Sequence, residues 1–190
     1  MTNEEKNRCL NNSQPPAGSG PTTRKTGIYL RCLGKDDVSD RFEKDTKPPE
    51  YGQRIKPWRW RWDQEVDGLS VSCLKCCKEA RCAILLNTHS DRYLHAVEIN
   101  LEELQSAINV QFDAHYAYVP ENPCHYVIRA LDVDENHIVQ TIKSWQKKLN
   151  YMGNASKPKT ADEQRIARAQ QELYNKVFTL HSNLNSPHQP

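Results

Sequence analysis

Between Val66 and Leu131 the chain carries its most continuous apolar patterning, and this stretch decides which folds are open to it. Leu69-Ser70-Val71-Ser72-Cys73 alternates after an Asp67-Gly68 turn and reads as a strand. From Leu74 to Leu86 the spacing of Leu74, Cys77, Arg81, Ile84 and Leu85 suits a short helix, although Arg81 interrupts its apolar stripe. Tyr93 to Ile99 is another strand, with Tyr93, His95, Val97 and Ile99 on one side. Asn100 followed by Glu103 resembles a capping box and predicts a helix through Leu101, Leu104 and Ile108. Phe112 to Val119 and Tyr126 to Leu131 make a further strand pair. Between them Pro120-Glu121-Asn122-Pro123 predicts a tight, poorly hydrogen-bonded loop.

The flanks are more polar. Residues 1–24, rich in Asn, Ser, Pro and Gly, have little to bury and read as a disordered tail. Ile28, Leu30 and Cys32 alternate as a short strand, and the charged segment from Asp36 to Tyr51 reads as a loop with one helical turn over Val38 to Phe42. Asp134 is an N-cap for a helix striped by Ile138, Ile142, Trp145 and Leu149. Thr160 with Glu163 caps a last helix lined by Ile166, Ala169, Leu173, Val177 and Leu180. A chain of 190 residues suits one core rather than two. The expectation is an α+β fold: a mostly antiparallel sheet with packed helices in residues 25–133, and a C-terminal helical pair over 134–180 packed on or extending it. Residues 181–190 are expected to fray.

With 26 basic and 24 acidic side chains, no global field drives binding to nucleic acid or membranes. No segment approaches a membrane span and the N-terminus lacks a signal-peptide core, so a cytoplasmic protein without membrane attachment is expected. Seven cysteines, an odd number in a reducing cytosol, then read as buried thiols, metal ligands or a redox site rather than a disulfide framework.

Four of them, Cys73, Cys76, Cys77 and Cys82, fall within ten residues, with His89 and His95 shortly after; zinc is the cofactor such a set would hold. Only one Cys-x-x-Cys is present, however, where structural zinc sites usually offer two short-gap pairs. A second constellation is Trp58-Arg59-Trp60-Arg61-Trp62. On an extended chain its tryptophans share one face and its arginines the other, as in a platform where bases stack and phosphates meet guanidinium. The plainer alternative is an edge strand whose tryptophans cap the core. Cys124 and His125 are sequence neighbours that point apart on an extended chain, so His125 is expected to bond backbone and pin the proline loop, or to meet a partner. The acidic residues Glu98, Glu102, Glu103, Asp132, Asp134 and Glu135 show no paired-carboxylate pattern, and common nucleotide-binding and hydrolase motifs are absent.

Gly68-Leu69-Ser70-Val71, His95-Ala96-Val97-Glu98-Ile99 and Pro120-Glu121-Asn122-Pro123-Cys124-His125 with Tyr126-Val127-Ile128 resemble, in that order, a class of small uncharacterised bacterial proteins. Those have a Leu-Ser-Val strand and a Pro-x-Asn-Pro-x-His loop. The resemblance implies a bacterial intracellular accessory protein, of mobile-element or antiviral defence loci, and brings no activity with it. The order Arg31, Ser70 with Ser72, then Glu98 also resembles the Arg, Ser, Glu ordering of ADP-ribosyltransferase-like folds. The leading expectation is a non-catalytic binding module with a protein partner; single-stranded nucleic acid on Trp58 to Trp62 and the transferase are the alternatives.

Overall fold

The computed structural model describes residues 2–17, 22–33, 38–39, 54–55, 68–87, 95–149 and 160–182. Its centre is a seven-stranded sheet built from β1 (Thr23–Arg24), β2 (Ile28–Leu33), β5 (Leu69–Cys73), β6 (His95–Asn100), β7 (Phe112–Tyr116), β8 (His125–Ala130) and β9 (Phe178–Ser182). The order across the sheet is β1-β7-β8-β5-β2-β6-β9, and every pairing is antiparallel. Two short strands, β3 (Val38–Ser39) and β4 (Arg54–Ile55), pair separately. The fold is therefore α+β, as the patterning predicts.

Register assigns the two faces, because residues opposite each other in an antiparallel pair share a face and neighbours along a strand alternate. Val71 pairs with Tyr126, Ile99 with Tyr29 and Phe178, and Val97 with Leu180, so one face is apolar. Helices α4 (Leu101–Ile108), α5 (Glu135–Lys148) and α6 (Ala161–Val177) belong to this layer. Trp145 of α5 stacks on Tyr174 of α6 at 6.0 Å between ring centroids, and both rings meet Phe178 of β9. The capping residues act as expected: Asn100, Asp134 and Thr160 accept from the amides of Glu103, His137 and Glu163.

Four expectations are corrected. First, residues 3–12 of the presumed tail form helix α1 (Asn3–Asn12), started by a reciprocal Thr2 and Glu5 capping box. Its Cys9 is buried and disulfide-bonded to Cys82, while Glu5 meets Arg81 at 2.7 Å. The Thr2 amide, and then Arg81, hold the Glu5 carboxyl below its usual range. Second, the single helix expected over 74–86 is two, α2 (Leu74–Cys77) and α3 (Ala80–Leu85), broken where Lys78 adopts φ 66°. Third, Val38–Ser39 is a strand rather than part of a helical turn. Fourth, the last helix stops at Val177 and the chain re-enters the sheet as β9, because Phe178 and Leu180 alternate inward against Ile99 and Val97. The C-terminal helices are thus tied into the core by a strand of their own. Residues 183–190 lie outside the described residues.

Candidate functional site

The opposite sheet face is polar around β8, and the side chains there are hydrogen-bonded to one another. His125, at the start of β8, pairs with Ser72 on β5, and Ser70 lies two residues back on the same face. The His125 Nε2 lies 2.7 Å from the Ser70 Oγ, and its Nδ1 lies 3.0 Å from the Ala117 carbonyl. A carbonyl only accepts, so Nδ1 carries a proton; in the neutral ring Nε2 is then the acceptor and the Ser70 hydroxyl donates to it. His125 is only 9% exposed, so this geometry is fixed by packing as well as by its partners.

The loop that delivers His125 is locked from several sides. Asn122 donates through Nδ2 to the Ser72 Oγ at 2.8 Å and accepts at Oδ1 from the Cys124 amide at 3.2 Å. The Asn122 amide donates to the Val119 carbonyl and the His125 amide to the Asn122 carbonyl, both at 3.0 Å; the Ala117 amide donates to the His125 carbonyl at 3.1 Å. The expectation of a poorly hydrogen-bonded loop is therefore corrected: the Asn122 side chain supplies what the prolines withhold. Cys124 adds a covalent tie to Cys76 of α2, with Cα atoms 5.5 Å apart. Above this base the tip is open, with Tyr118 69% exposed and Pro120 and Glu121 also exposed.

A second hydroxyl and imidazole pair lies along the same face, where Thr23 of β1 and His115 of β7 sit opposite each other with Thr23 Oγ1 3.1 Å from His115 Nδ1. On the apolar face Arg24 reaches from β1 to side chains of β8 and β5. Its guanidinium lies 5.5 Å from the Tyr126 ring centroid and its Nη1 is 3.8 Å from the Cys73 sulfur. Tyr126 also packs between Tyr29 and Tyr116, at 5.6 and 5.5 Å between centroids.

The four-cysteine set does not assemble. Cys76 is bonded to Cys124 and Cys82 to Cys9, leaving Cys73 and Cys77 as buried thiols, and no cluster of three or more metal-ligating side chains occurs among the described residues. The zinc set weighed at Cys73, Cys76, Cys77 and Cys82 gives way to two disulfides, because each bonded sulfur faces a distant segment, α1 or the proline loop, rather than its sequence neighbours. The preference for free thiols over disulfides is corrected with it. Trp58, Arg59, Trp60, Arg61 and Trp62 lie outside the described residues. The transferase-like set is divided by the sheet: Arg31 pairs with Val97 on the apolar face, while Glu98 pairs with Leu30 on the face of Ser70 and Ser72. Glu98 instead meets His181 of β9 at 2.8 Å.

Sequence reasoning missed Asn122, Ala117 and Tyr118. The Asn-Pro pair was the available signal for Asn122, since an Asn beside proline commonly turns its side chain onto the backbone two residues on. Compared with protein-family models, curated proteins and solved structures, the chain matches none. Among the described residues no helix is long and apolar enough to cross a membrane.

Proposed function

We propose that this chain is a non-catalytic binding module that recognises a protein partner through the loop from Ala117 to His125. One observation carries this: the loop is exposed at its tip and locked at its base. Loops are ordinarily the mobile part of a fold, whereas this one is held by two prolines, the Asn122 and His125 bonds and the tie to Cys76. Such bracing removes ordering cost from binding, and Tyr118 is a side-chain type that anchors interfaces. A bacterial accessory role, in defence or mobile-element systems, rests on the resemblance of the Leu-Ser-Val strand and the proline loop. The two disulfides favour an oxidising compartment over the expected cytoplasm.

Quantitative affinity capture from cells that encode the protein tests this, with wild type beside Tyr118→Ala. The exposed Tyr118 makes the substitution neutral for folding, so Tm should not move. A partner enriched by wild type and lost with the variant supports the module; identical capture by both overturns the loop as its surface.

A second reading is favoured by the Ser70, His125 and Ala117 distances, which have the order of nucleophile, base and base-orienting acceptor. Exposure to a fluorophosphonate separates it from the first. A reactive Ser70 displaces fluoride from phosphorus while its proton passes to His125, and the adduct is read by mass at Ser70. An unlabelled Ser70 leaves the pair as a structural clip.

A further inference from the structure

Cys73 and Cys76 make the Cys-x-x-Cys of the chain, yet Cys76 is bonded across the structure to Cys124 rather than to Cys73. Cys73 sits directly opposite that same Cys124. The β5 and β8 register that pairs Ser72 with His125 brings Cys73 to Cys124 at the next step, and the Cys73 amide donates to the Cys124 carbonyl at 2.9 Å. The Cys124 amide turns to the Asn122 Oδ1 instead, so the two residues share one bond of an antiparallel pair, whose opposed Cα atoms lie about 4.5 to 5.5 Å apart. That separation falls within the roughly 4.4 to 6.8 Å that disulfides span. Cys73 is a free thiol, 3% exposed, with the Arg24 guanidinium beside its sulfur.

We propose that Cys73, Cys76 and Cys124 form a thiol–disulfide exchange site, in which Cys124 is held by Cys76 in one state and by Cys73 in the other. The Cys73 sulfur attacks the Cys124 sulfur; the bond between Cys73 and Cys124 forms as that between Cys76 and Cys124 breaks. The proton lost by Cys73 ends on the departing Cys76, and the number of disulfides is unchanged, so no outside oxidant or reductant enters the balance. Arg24 stabilises the negative charge that the attacking sulfur carries. Cys73, Cys76 and Cys124 are each at most 5% exposed, which keeps bulk thiols out of the exchange. Its consequence is mechanical: in the second state α2 is released from the proline loop while Cys124 stays fixed to the sheet.

Disulfide mapping tests the site. Wild-type protein is held at mildly alkaline pH, trapped with N-ethylmaleimide in denaturant, digested and sequenced by mass. A peptide linking Cys73 to Cys124, accompanied by alkylated Cys76, is expected beside the Cys76 to Cys124 linkage, with Cys9 to Cys82 unchanged. In Cys76→Ser the Cys73 to Cys124 linkage should become the main species, with neither sulfur alkylated. Arg24→Gln should slow its appearance in the wild-type background. Exclusive Cys76 to Cys124 linkage in wild type overturns the proposal, and so does a folded Cys76→Ser protein with both remaining thiols free. If that variant fails to fold, the wild-type map decides alone.

Discussion

Asn122 uses both ends of one side chain, donating to Ser72 and accepting from the Cys124 amide, at a position only 5% exposed. Asn122→Ala leaves a buried hydroxyl and an amide without those partners, and should cost about 1 to 3 kcal/mol in denaturant unfolding. Tyr126 is the opposite case. Its hydroxyl is buried with no hydrogen-bond partner while its ring packs on Tyr29, Tyr116 and Arg24, so Tyr126→Phe removes the burden and keeps the contacts. The substitution should leave stability unchanged or raise it by about 1 kcal/mol; a loss of that size would contradict the packing described. Burial pushes the Cys32 and Cys77 thiols up to about 12. An unfolded thiol ionises near about pH 8.5, so between there and about 12 the folded chain binds protons that the unfolded chain has released. Their contribution to stability is complete below that window and falls as pH rises through it. Tm should therefore drop on the alkaline side, and both thiols should resist a thiol-reactive dye at about pH 8 until the protein is denatured. Ready labelling of the native protein at either would contradict this.

At the scale of elements, α1 is held by its capping box, the Glu5 to Arg81 pair and the bond from Cys9 to Cys82, which closes a sequence separation of 73. Cys9→Ser with Cys82→Ser should cost roughly 2 to 5 kcal/mol and raise amide exchange throughout α1. The exposed ion pair supplies little by comparison. The same elements show what sequence discloses and what it does not. Periodicity and caps located α4, α5 and the start of α6, because Asn100, Asp134 and Thr160 announce a helix within three residues of their own position. Helix α1 starts with a box of the same kind, Thr2 with Glu5, inside a stretch whose polar composition reads as a tail. By contrast, Cys9 meeting Cys82 and β9 pairing with β6 are products of the assembled sheet, and no local pattern encodes a partner more than 70 residues away. The candidate site was legible only at His125, whose backbone bond the proline loop suggested; its Ser70 partner came from register.

Across the whole molecule, the arrangement separates tasks by face. Helices α4 to α6 close the face of Tyr29, Ile99 and Phe178, and the opposite face, which also buries Leu30, Ala96 and Val127, presents hydroxyl and imidazole pairs that end at the braced loop. The strand order places β8 and β5 in the interior of the sheet, so Ser70, Ser72 and His125 stand on the least deformable part of the fold. Gly68 stands close against β8: a Cβ there would press on the Val127 side chain and come to 2.8 Å from the Ile128 carbonyl. Recognition through this loop depends most on its being rigid before any partner arrives. Amide hydrogen exchange of the isolated, oxidised protein measures this at the Asn122, Cys124 and His125 amides. Protection comparable to the β8 amides of Val127 and Ile128 is the predicted result, and exchange at the rate of an unstructured peptide would contradict a preformed recognition loop.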